Sequence, residues 1–153
     1  MKIINFVFWS IFISVNINVA QATNLSQSNK ISDIIITDAW VRAVAPGQTT
    51  GAAYMTLNST KNMALINVES TAARNVEIHS MSMTNGVMKM RMLNKLNLTA
   101  NIPYKLAPGG FHLMLFNLKQ PLLAGRKVAF ILHFKDSANK DLTVKVTVPI
   151  KAE

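Results

Sequence analysis

His79-Ser80-Met81-Ser82-Met83-Thr84-Asn85-Gly86-Val87-Met88-Lys89-Met90-Arg91-Met92 is the stretch that decides how this chain folds. Asn85-Gly86 is the dipeptide favoured by a two-residue type I′ turn, whose central residues both need positive φ, so the flanking residues form a β-hairpin. Thr84 then faces Val87. Counting outward, Met83 pairs with Met88, Met81 with Met90 and His79 with Met92, and strand alternation puts all six on one face. Ser80, Ser82, Lys89 and Arg91 take the other face, the half-exposed pattern of an antiparallel pair.

The same short period continues along the chain. Strand-like runs lie at 34–36, 39–44, 52–57, 63–68, 104–106, 111–115, 127–134 and 142–148, with 75–83 and 87–93 as the hairpin arms. Turn signals separate them at Pro46-Gly47, Asn58-Ser59, Asn62, Pro108-Gly109-Gly110 and Ala124-Gly125,. No long stretch has helical periodicity, so the pattern predicts an all-β sandwich or barrel without parallel βα units. In the run 128–134, Val128, Phe130, Leu132 and Phe134 share a face and His133 points to solvent. Trp40 is expected to be a core anchor. Gly109-Gly110 has no following Lys-Ser/Thr and no helix, which excludes a phosphate loop. It is expected instead to bend the chain so that His112 and Met114 reach the hairpin.

The hairpin face is chemically unusual. Six of the nine methionines lie between Met81 and Met114, and two His-x-Met pairs, His79/Met81 and His112/Met114, each keep both side chains on one strand face,. Thioether sulfur is soft and uncharged; it favours Cu(I) over Zn, Mg, Ca or Mn. A blue-copper centre would need a Cys thiolate, and the chain has no Cys,. Met does not titrate and forms no disulfide, so His79, Met90, His112 and Met114 form a candidate Cu(I) site suited to an oxidising compartment. No carboxylate is read near the cluster, and neither His79 nor His112 has an Asp or Glu placed by sequence to orient it. Methionine is also a flexible core filler, so a packing or docking face is the other reading of the same run.

In these residues the sequence resembles the PCuAC family of periplasmic copper chaperones, which help to assemble the binuclear copper-A centre of cytochrome c oxidase. The family motif is a His, ten residues, a Met, twenty-one residues and His-x-Met; here His79, Met90 and His112-Leu113-Met114 match that spacing without gaps. The resemblance extends to Ala39-Trp40-Val41-Arg42-Ala43, Gly51-Ala52-Ala53-Tyr54-Met55, Gly86-Val87-Met88-Lys89-Met90-Arg91 and Pro108-Gly109-Gly110-Phe111-His112-Leu113-Met114. It implies a small cupredoxin-like, Greek-key β-sandwich that binds one Cu(I) per chain through His79, Met90, His112 and Met114. It also implies a copper acceptor, either the copper-A subunit or a Sco-type thiol protein. The Cu(II)-binding His/Met-rich tail of some members is missing from Lys151-Ala152-Glu153.

The first residues point to export. Lys2 is the only charge before Lys30, the segment 3–15 is mainly apolar, and Ala20-Gln21-Ala22 is a small-x-small cleavage site, so residues 1–22 read as a signal peptide and 23–153 as one periplasmic domain,. Asn5, Ser10, Asn16 and Asn18 interrupt a stretch that falls short of the about 20 apolar residues needed to span a bilayer. Without Cys there is no acylated-Cys anchor, and stability rests on core burial. The formal charge of +9 suits an acidic partner or an anionic membrane,. Scattered cations without an aromatic platform argue against nucleic acid. Lys89 and Arg91 are the best candidates for partner contact. The absence of a Cys nucleophile and of a Gly-x-Ser-x-Gly elbow argues against an enzyme. The expected function is a monomeric Cu(I) carrier that releases its ion by ligand exchange. Copper buffering or resistance, and a metal-free methionine docking module, are the alternatives.

Overall fold

A computed structural model describes residues 33–152. The predicted signal peptide, and the predicted domain start at residue 23, lie outside the described residues. Ten strands follow in chain order: β1 (Ile34–Arg42), β2 (Thr50–Ser59), β3 (Met63–Ser70), β4 (Ala73–Thr84), β5 (Val87–Leu93), β6 (Leu96–Leu98), β7 (Tyr104–Leu106), β8 (His112–Leu118), β9 (Lys127–Asp136) and β10 (Asp141–Lys151). No helix occurs among the described residues, so the expected all-β class holds. The short strand β6 has no counterpart among the strand-like runs read from the sequence.

The strands run in the order β5-β4-β8-β2-β1-β10-β9-β3-β6, with β7 on β2, and a β3–β4 pairing at Val68 and Val76 closes the sheet on itself. Closure removes most of the exposed edges that an open sheet would present. The neighbours are antiparallel except β1 and β10, which pair in parallel at Val41↔Ile150 and Arg42↔Lys151. Alternation fills the interior: Val128, Phe130, Leu132 and Phe134 of β9 are all buried, together with Leu57 of β2, Leu65 of β3 and Leu113 and Leu115 of β8. His133 lies on the other face of β9, its Nε2 3.0 Å from Glu69 Oε1, as the alternation predicts.

Two long-range features position the site. β8 inserts between β4 and β2, so strands far apart in sequence become hydrogen-bonded neighbours, the Greek-key type of connection,. β1 carries an irregularity between Thr37 and Trp40, where Asp38 takes φ 52°. Beyond it Val41 enters the core and Trp40 faces outward, half-buried and stacked at 4.6 Å on Tyr54. The expectation of a core Trp40 is therefore corrected: the bulge and the alternation give the core position to Val41.

Candidate metal-binding site

The hairpin forms in the register read from its turn. Thr84 faces Val87, Met83 faces Met88, Met81 faces Met90 and His79 faces Met92. Asn85 and Gly86 have φ of 51° and 75°, as a type I′ turn requires,. The arms differ from the half-exposed expectation near the tip. Beyond His79, β4 loses its β8 partner, and Met83, Met88, Lys89, Met90, Arg91 and Met92 are all exposed. The tip thus projects from the sandwich, open on both faces.

The other half of the cluster arrives on β8. Gly110 N–H donates to the Ala107 carbonyl at 3.0 Å and Gly109 has φ 79°, a type II turn with Pro108 in the position that its ring favours,. The turn delivers His112 opposite His79, and Met114 opposite Glu77 on one side and Ala52 on the other. The two imidazole rings lie 5.7 Å apart between centroids at an angle of 54°. Both histidines are nearly buried, His79 at 8% and His112 at 4% exposure, whereas Met90 is 48% exposed. Met81, Met90, His112 and Met114 line one open cavity of about 280 Å³, walled by Arg42, Ala52, Tyr54 and the Pro108-Gly109 turn. The Arg42 guanidinium sits 5.6 Å above the Tyr54 ring, and Trp40 covers the same ring.

Each imidazole is held by one nitrogen. The His79 Nε2 lies 2.8 Å from Glu77 Oε2, so Nε2–H donates to the carboxylate. The His79 Nδ1 is buried and has no hydrogen-bond partner. His112 Nδ1 donates to the Gly110 carbonyl at 3.1 Å, and the same oxygen accepts the Met81 N–H at 3.2 Å. A neutral imidazole that donates from one nitrogen offers a lone pair on the other, so the acceptors are His79 Nδ1 and His112 Nε2. Fixing one nitrogen so that the other can coordinate is the usual outer arrangement of a metal-ligating histidine.

Glu77 corrects the expectation that no carboxylate lies near the cluster or orients either histidine. It stands two residues before His79 on the same strand, and that i, i+2 spacing was the signal that could have found it,. Among the described residues no group of three or more His, Cys, Asp or Glu gathers as a metal site. The donors here are imidazole and thioether, a set for a soft ion.

The fold and this cluster define a cupredoxin-like β-sandwich with a methionine-lined pocket that His112 lines, while His79 stands behind His112 and does not itself line the cavity. A family model described as "Putative lipoprotein LpqE-like" matches residues 34–149, and the chain belongs to this LpqE-like family. It is 32% identical over 117 residues to "Putative lipoprotein Lxx21020" of Leifsonia xyli, covering 76% of this chain and 68% of that protein. It is 31% identical over 132 residues to "Uncharacterized protein RP573" of Rickettsia prowazekii, covering 78% and 73%. Among solved structures, the CuI form of DR1885 from Deinococcus radiodurans is 27% identical with a TM-score of 0.59, covering 86% of this chain and 87% of that one. The copper-bound PCuAC domain from PmoF2 shares the fold with a TM-score of 0.61 at 23% identity, over 79% of this chain and 94% of that domain. Both of these solved structures are described with copper bound, and the PmoF2 one is a PCuAC domain.

Proposed function

We propose that this protein is a periplasmic Cu(I) metallochaperone that carries one copper ion per chain toward assembly of the copper-A centre of cytochrome c oxidase. The observation that carries the reading is the His79 Nδ1, a buried acceptor without a partner, beside a second imidazole aimed into a thioether-lined cavity. Burying such a nitrogen unpaired is costly, and a bound soft cation removes the cost. His79 Nδ1, His112 Nε2 and the sulfurs of Met90 and Met114 are the ligands. The likeness to the CuI form of DR1885 supports the choice of metal. All four donors are neutral, so the Glu77 carboxylate behind His79 offsets the charge of the ion.

Transfer is ligand exchange without redox chemistry: Cu(I) enters and leaves in the same oxidation state. The nearly buried histidines anchor the ion, while Met90 stands at the open rim. An acceptor's thiolate pair therefore displaces the thioethers first. Met81, directly across the hairpin from Met90, takes up the vacated position during release. Met81→Leu is expected to slow transfer to a dithiol acceptor and leave equilibrium affinity unchanged; equal stopped-flow transfer rates would remove Met81 from the path. The chain is read as a carrier, with no catalytic role assigned to any residue.

Delivery is tested in cells. Loss of the protein should lower oxidase activity when copper is scarce, with rescue by the wild type and none by His112→Ala. Intact oxidase activity together with sensitivity to excess copper would show a buffer instead.

A further inference from the structure

The pocket uses only part of the methionine face. Met83 and Met88 form a further cross-strand pair beyond Met81 and Met90, on the same side of the hairpin. They are 66% and 55% exposed, so core packing, the ordinary use of methionine, does not explain them,. The face is also selective. From His79 to Met92 every cross-strand pair on this side is made of His or Met apart from the turn itself, while Ser80, Ser82, Lys89 and Arg91 hold the reverse side.

We propose that Met83 and Met88 form a second, weaker site for a soft monovalent cation at the hairpin tip, which passes its ion through Met81 to the pocket. This rests on the Cu(I)-carrier reading and extends it to the route of entry. Directly opposed residues in an antiparallel pair have Cβ atoms about 4.5–5.5 Å apart, within reach of two thioethers on one ion. The next rung lies two residues along each strand, about 7 Å away, a distance that long side chains span diagonally. Thioether sulfurs select a soft ion, and with no imidazole or carboxylate at the tip they hold it less firmly than the pocket does. Along β4 exposure falls from Met83 through half-buried Met81 to nearly buried His79, so on that strand ligand strength rises as access to solvent declines.

The test is a titration of the purified protein, carrying 13C-methyl methionine, with Ag(I) as a redox-inert soft cation followed by NMR. The first equivalent should move the Met90 and Met114 methyl signals. The second should move Met83 and Met88 together with Met81, and Met83→Leu/Met88→Leu should abolish that second event while keeping the first. If Met90 and Met114 move but Met83 and Met88 stay fixed through two equivalents, this inference fails alone and the tip is an apolar docking face. Second-equivalent shifts that spread equally to Met92 would mean unselective thioether binding and overturn it too. If Met90 and Met114 never move, the carrier reading fails and takes this inference with it.

Discussion

Glu77 and the Gly110 carbonyl fix the two imidazoles from different directions, one through Nε2 of His79 and the other through Nδ1 of His112. Removing an outer partner of this kind costs about 10- to 100-fold in metal affinity. Glu77→Ala should therefore weaken Cu(I) binding by roughly that factor, read by competition with a chromophoric chelator. Glu77→Gln should recover much of the loss, because an amide oxygen still accepts from Nε2–H; wild-type affinity in Glu77→Ala would show that the carboxylate positions nothing. At this scale the candidate ligands were legible, since two His-x-Met pairs are conspicuous donor types. Glu77 was missed because a single carboxylate beside a methionine run carries no signal until its strand face is counted. Trp40 was misplaced because the bulge at Asp38 resets alternation in a way that residue types do not announce.

The hairpin is the element that carries Met90, and its turn sets its register. Gly86 at φ 75° would be strained by a side chain although nothing lies within 4 Å of an added Cβ. Gly86→Ala should cost about 1 kcal/mol, the penalty of an L-residue in the left-handed region. Because β4 is the one strand that pairs with β5 among the described residues, the strain should loosen Met90 more than the sandwich. Faster Cu(I) dissociation with a nearly unchanged thermal midpoint is the expected result; a cooperative loss of global stability would place the hairpin inside the folding core. The register was legible because Asn-Gly admits few turns. The neighbour across from His79 was not, since the pairing of β4 with β8 spans three intervening strands and depends on how the whole sheet closes,.

Across the whole molecule, a formal charge of +9 with Lys89 and Arg91 on the exposed reverse of the hairpin favours approach to an acidic acceptor,. Lys89→Glu/Arg91→Glu should slow transfer to such an acceptor, with the difference from wild type shrinking as salt rises, while Cu(I) affinity stays unchanged. Equal transfer rates at low salt would remove these cations from the docking surface. The all-β class followed from many short alternating runs, whereas the closure through β3 and β4 rests on one pairing, Val68 with Val76, that no local pattern marks. The central claim, a Cu(I) site built from two imidazoles and two thioethers, meets its most direct test in a titration of the purified protein with Cu(I) under reductant. A chromophoric chelator competes, and the Met90→Leu/Met114→Leu variant is measured in parallel. Leu keeps volume and apolarity while removing sulfur. One equivalent captured by the wild type and largely lost in the variant is the predicted result; equal capture by both, or none by the wild type, would contradict it.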